Sequence, residues 1–156
     1  IHCKIGWLGF CTEKTKRLCN NVPYAITIDP IAEAAPREIT RLRKSGVDFI
    51  ITMTHQDMPL DRQLAEKEDT NLIIGGHEHV ELIERVHNDN YNRDIWIGKF
   101  GSDATEVGVI SITIELNQDN KFDFTVDIST FDITDESLPV RNVIATNIKL
   151  RPKFSK

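Results

Sequence analysis

The sequence predicts an α/β fold, and two patterns carry that prediction. In the first half, short β-branched apolar runs alternate with helix-period segments; beyond residue 79 the pattern turns to period two, punctuated by Asn, Asp and Gly. The former builds βα units with parallel strands, the latter antiparallel strands joined by tight turns. A third observation places chemistry on this frame. Two consecutive predicted strands end in histidines: His55 after the run 47–53, and His77 and His79 after the run 72–74.

Taken in order, residues 4–10 read as a buried strand. Residues 11–24 are polar, carry Asn20, Asn21 and Pro23, and read as a loop. A short strand is expected over 25–28. Asp29 then suits the N-cap and Pro30 the first turn of a helix. Ile31, Ala35, Ile39 and Leu42 fall on one face of it, with Pro36 expected to kink or restart the helix. Gly46 suits the left-handed position that ends a helix. The next strand is 47–53, and the strand–helix–strand order implies a right-handed crossover and a parallel pair.

A second helix is expected over 59–68, with Leu60 and Leu64 inward and Arg62, Glu66 and Lys67 in solvent. Asp69, Thr70 and Asn71 break it before the strand 72–74. Alternation then marks strands at 82–86 and 95–97, joined by a turn at 88–90, with His87 at the surface. After a loop over 100–105 come strands at 107–116 and 122–131, with a hairpin turn over 117–121. From residue 135 the periodicity fades, and Lys149, Arg151, Lys153 and Lys156 make a basic end. The expected division is one domain over 1–134 and a tail, or linker to a following domain, over 135–156.

Composition bounds the function. A chain of 156 residues, 40% hydrophobic and 28% charged, can bury a sizeable core. Its net charge of −5 argues against a nucleic-acid polymer as partner, because phosphate backbones are bound by basic surfaces. A metal-centred phosphate site stays compatible, since bound cations outweigh a mildly acidic surface. No apolar run approaches the ~20 residues of a membrane span. Cys3, Cys11 and Cys19 are too few and too odd in number for a disulfide framework, and no Asn-x-Ser/Thr sequon occurs. Both lean towards free thiols in a reducing compartment such as the cytoplasm, with a secreted or periplasmic location left open.

The stretch Ile73-Ile74-Gly75-Gly76-His77-Glu78-His79 organises the rest. Its glycines let the backbone turn sharply or approach another group closely. If the chain stays extended, His77 and His79 point to the same side. Neutral imidazole ligates zinc, iron, manganese or copper. With His55 at the end of the neighbouring strand, three of the five histidines gather at the sheet edge where open α/β sheets bind ligands.

Thr54-His55, Asp61-Arg62-Gln63-Leu64-Ala65 and Leu72-Ile73-Ile74-Gly75-Gly76-His77-Glu78-His79, in that order, resemble the second half of a calcineurin-like metallophosphoesterase domain. The Gly-Gly-His-Glu-His form is most similar to the 5′-nucleotidase-like branch, and the likeness covers residues 4–114. The resemblance implies an αββα sandwich of which this chain supplies the C-terminal half. It also implies metal-dependent hydrolysis of phosphoesters, nucleotides or related small ones, by two divalent ions (Mn, Zn, Fe, Mg or Ca). His55 and His77 would bind one metal and His79 the other. Ser102 or Asp103, in a loop that family members set near the metals, would touch substrate.

The chain departs from the family in one large respect. The Asp-x-His, Gly-Asp and Gly-Asn-His motifs of the family's first half are absent, and Asp48, Asp57 and Asp61 belong to the second-half pattern. The bridging carboxylate and the catalytic histidine are therefore expected upstream, in a larger parent enzyme, and the 156-residue chain alone is expected to be inactive. The alternative is a non-catalytic metal-binding or structural module. A nucleotide-binding βαβ protein of another kind lacks support, since no glycine-rich phosphate loop follows any predicted strand.

Overall fold

The computed structural model describes residues 2–19, 23 and 25–133; the expected tail over 135–156 lies outside them. Strand β1 (Ile5–Cys11) leads into a single turn of helix, α1 (Thr15–Leu18), and then into α2 (Ile31–Lys44). Strand β2 (Phe49–His55), helix α3 (Met58–Lys67) and strand β3 (Leu72–Gly75) follow. The hairpin of β4 (Leu82–Asn88) and β5 (Arg93–Lys99) comes next, then that of β6 (Glu106–Leu116) and β7 (Phe122–Asp132).

The strands form a five-stranded sheet in the order β1-β2-β3-β5-β4 and a two-stranded sheet of β6 and β7. In the larger sheet β1, β2, β3 and β5 run parallel, and β4 closes one edge antiparallel to β5. The βα half of the sequence and the alternating half thus build what their periodicities predict. Helices α2 and α3 cover one face, where Ile31, Ala35, Ile39, Leu64 and Ala65 pack on Ile50, Ile73, Ile95 and Ile97. The β6–β7 hairpin covers the other, with Ile110, Ile112, Phe124, Val126 and Ile128 against Phe49, Ile51 and Leu72. Helices, mixed sheet and hairpin are the α, β and β layers of the expected sandwich.

Several local expectations are corrected. Residues 25–28 form no strand, and residues 11–24 include the helical turn α1. Pro36 neither breaks nor restarts α2, which runs unbroken from Ile31 with Pro30, not Asp29, at its N-cap. Pro36, sixth in the helix, forgoes the one bond that its N–H would have made to the Ala32 carbonyl, and α2 continues through it. Leu60 faces out rather than in, because the buried stripe of α3 runs through Met58, Asp61, Leu64 and Ala65 and leaves Leu60 at its margin. Strand β1 is buried on one face only. It pairs with β2 alone, and Trp7 stays 58% exposed beside Ile5 and Met53. Cys3, Cys11 and Cys19 form no disulfide, and among the described residues no helix is long and apolar enough to cross a membrane.

Candidate metal centre

Parallel pairing brings the C-terminal ends of four strands to one edge. Cys11 lies opposite His55, Thr54 opposite Gly75, and Gly75 opposite Lys99. The segments 76–79 and 100–105 and the β2–α3 connection therefore leave the sheet side by side. The sequence reading identifies this edge because two consecutive predicted strands end in histidines, His55 and the His77–His79 pair.

Two of the three predicted histidines meet there. The imidazoles of His55 and His77 contact edge to face, with ring centroids 5.2 Å apart and planes at 85°. Gly76 lies against the His55 ring: a Cβ at that position would stand 3.5 Å from His55 Nδ1, an ordinary van der Waals contact. Gly75 opens space on the opposite face, where a Cβ would fall 2.9 Å from Thr54 Oγ1 and 3.1 Å from Lys99 Cε.

His79 follows a different course. The chain does not remain extended after Gly75: His77 and His79 both take positive φ, 97° and 59°. That conformation is uncommon for residues with a Cβ and concentrates at functional sites. It cancels the alternation that would have set the two side chains on one side, and His79 lies exposed. Among the described residues no three His, Cys, Asp or Glu side chains gather into a group able to hold a metal ion. His2 and His87 are both exposed, and His87 pairs with Asp94 at 2.7 Å.

A divalent ion held by His55 and His77 would need a nitrogen of each ring about 2.0–2.1 Å away. The two rings are neighbours, with centroids 5.2 Å apart, which is the first requirement for imidazoles that would share one ion. Asp57 Oδ1 lies 2.9 Å from His77 Nε2, the kind of carboxylate partner that fixes the tautomer and orientation of a ligating histidine. Asp57 itself is held below the usual carboxylate range, first by the Lys14 ammonium at 3.0 Å and then by His77. Two imidazoles without a third ligand among the described residues make at most part of a ligand set.

Ser102 and Asp103 lie in the loop leaving β5. There the Ser102 hydroxyl donates to Asp103 Oδ2 at 3.0 Å, and Asp103 takes φ 56°. The loop emerges at the histidine edge, and no contact joins its two polar side chains to the histidines.

Sequence reasoning missed what lies beneath the histidines. Lys99 is 1% exposed, a basic side chain enclosed among polar partners. Its ammonium donates to the Gln56 carbonyl and to Glu78 Oε2, both at 2.6 Å. Asp61 Oδ2, fully buried, lies 2.8 Å from the same nitrogen as an ion pair without the angle of a hydrogen bond, while Gln56 Nε2 donates to Asp61 Oδ1 at 2.7 Å. A signal did exist: Ile95, Ile97 and Lys99 share one face at period two, so a lysine stands where an apolar residue belongs.

Comparison with known proteins places this edge in context. Over 91 residues the chain is 28% identical to an apyrase of Aedes albopictus, a match covering 57% of this chain and 16% of that protein. Over 80 residues it is 31% identical to a 5′-nucleotidase of Diplobatis ommata, covering 51% of this chain and 14% of that one. The chain thus spans less than a fifth of the length of these relatives. Among solved structures, the 5′-nucleotidase precursor of Thermus thermophilus superposes with a TM-score of 0.66 at 21% identity, over 80% of this chain and 27% of that one. That likeness speaks for the fold. No protein-family model matches the chain.

Proposed function

We propose that this chain, which resembles the C-terminal part of a 5′-nucleotidase-like metallophosphoesterase domain, supplies half of a metal centre that hydrolyses nucleotides or related small phosphoesters. The observation that carries the reading is the edge-to-face meeting of His55 and His77 at the carboxyl edge of the parallel strands. The named activities of the apyrase and 5′-nucleotidase relatives support the substrate class.

In this reading His55 and His77 hold one divalent ion, and His79 turns in to a second when the centre is complete. Neutral imidazoles suit the task because they ligate without adding negative charge against phosphate. When bound, two such ions lower the pKa of water and offset charge on the phosphate oxygens. Asp57 orients the His77 ring through Nε2, which leaves Nδ1 as the nitrogen open to a cation. Ser102 and Asp103 contact the substrate from the β5–β6 loop. The bridging carboxylate and the group that protonates the leaving oxygen come from an upstream half of the same domain. The free edge of β1 and the exposed Ile5, Trp7 and Met53 beside it are the surface that this half covers.

The test compares two proteins in a manganese-supplemented assay with para-nitrophenyl phosphate and nucleoside monophosphates, with a chelator control. The 156-residue chain is expected to match a buffer blank. A longer protein carrying the upstream motifs is expected to turn over, and to lose most activity on His77→Ala. Chelator-sensitive turnover by the short chain would show its site to be complete. A longer protein that stays inactive with all its motifs present would favour a non-catalytic metal-binding module.

A further inference from the structure

The residue between the two left-handed histidines makes the most demanding contacts in the loop. Glu78 sends its carboxylate inward, away from the histidine edge. Oε2 accepts from the buried Lys99 ammonium at 2.6 Å, and Oε1 accepts from the backbone N–H of Met58, the first residue of α3. The N-terminal N–H groups of a helix lack intrahelical partners and favour a negative charge. Asp57, the N-cap residue, makes no capping bond with its own side chain. Glu78 thus takes the capping role from across the sheet edge, and the carboxylate of Asp57 is free to hold His77 Nε2.

Lys99 in turn has one orientation available. Its stem passes Gly75, where a Cβ would meet Cε at 3.1 Å, and its ammonium is fixed by Gln56, Asp61 and Glu78 together. The chain from β5 to α3 to the loop is therefore continuous: Asp61 and Gln56 hold Lys99, Lys99 and Met58 hold Glu78, and Glu78 anchors the backbone between His77 and His79.

From this we infer that Glu78 is a positioning residue: clamped by Lys99 and the Met58 amide, it holds the left-handed backbone that sets the His77 ring against His55. The inference rests on the reading of these histidines as ligands only for its effect on metal affinity; the ring geometry exists without metal. Glutamine is the discriminating substitution. It matches glutamate in shape but offers one acceptor oxygen where two donors, Lys99 and Met58, must be met, so one arm of the clamp opens.

The test uses the full 156-residue chain, isotope-labelled and metal-free, with Glu78→Gln and Lys99→Met variants. The wild-type chain is expected to show a nuclear Overhauser contact between the His55 and His77 rings. Glu78→Gln is expected to keep the sheet amide pattern and the circular dichroism, and to lose that contact. Cobalt titration followed by absorbance is then expected to show roughly tenfold or greater weakening. Should the wild-type chain bind no cobalt at all, the metal reading fails, while the ring contact still tests the clamp. A folded Glu78→Gln chain that retains the ring contact at full intensity overturns the inference. So does a Glu78→Gln chain that unfolds globally, since Glu78 would then support the fold rather than the ring; in that event Lys99→Met is expected to unfold as well.

Discussion

Asp57 and His77, twenty residues apart, form a 2.9 Å hydrogen bond that joins the N-cap of α3 to the loop after β3. N-cap aspartates ordinarily accept from the first turn of their own helix, and losing that bond costs about 0.5–2 kcal/mol. Here the carboxylate faces the other way, and its second oxygen meets Lys14 in an exposed ion pair, a kind of contact worth about 0–1 kcal/mol.

Asp57→Ala is accordingly expected to leave the urea midpoint nearly unchanged, because no capping bond is lost and the ion pair is exposed. The same change removes the partner of His77 Nε2. Cobalt or manganese affinity, read by titration, is expected to fall about 10–100-fold, the usual range for a residue that orients a ligating histidine. A large loss in urea stability with unchanged metal affinity would show the bond to be structural.

Arg43 offers the contrasting case, a charge that holds the fold. At the last turn of α2 its guanidinium donates to Asp69 Oδ2 at 2.8 Å and Oδ1 at 3.0 Å, to Asn71 Oδ1 at 2.7 Å, and to the carbonyls of Val47, Asp48 and Asp69. This ties the end of α2 to the starts of β2 and β3. A lysine cannot reproduce the planar fork. Arg43→Lys is expected to destabilise by roughly 2–3 kcal/mol, a loss of charge-assisted bonds read from the shift in urea midpoint at constant slope. The ring contact of His55 and His77 is expected to survive it.

Glu68 supplies the pH dependence. Burial pushes its carboxyl up from the ordinary glutamate value, and the neighbouring Lys67 opposes the shift only in part. A raised folded-state value means that the protonated form suits the fold better. The associated stability is present below the unfolded value and is lost as pH rises through the folded one. At pH 7, Glu68 therefore costs stability, and its place at the carboxyl end of α3 adds an unfavourable interaction with the helix dipole. Glu68→Gln is expected to raise the melting temperature at pH 7 by roughly a degree or more. The advantage is expected to shrink as the pH falls towards 4.5, the ordinary value. An equal gain at pH 4 and pH 7 would assign the effect to packing instead.

How far the sequence reaches can be judged residue by residue. The strands from Leu82 to Asp132 are legible because alternation at period two is a local property, and their observed bounds differ from the expected ones by a residue or two. The carboxyl edge is legible for the same reason: an apolar run ending in Gly75-Gly76-His77 or in His55 declares both a strand and what it delivers. The short segment 25–28 misleads because four apolar or β-branched residues suffice for a strand only when a neighbour pairs with them, and none does.

The sequence by itself determined every strand that forms, apart from exact bounds, and that His55 and the His77–His79 pair emerge at the same edge; only the strand expected over 25–28 is missing. Tertiary structure alone decided which histidines meet. The left-handed backbone at His77 and His79 separates side chains that an extended strand would have aligned. Glu78, Asp57 and Lys99 take their roles from partners 20 to 43 residues away in the chain. Periodicity reports the face on which a residue lies. A buried charge is placed by whichever partners can neutralise it there, and those are chosen by the packing of distant elements.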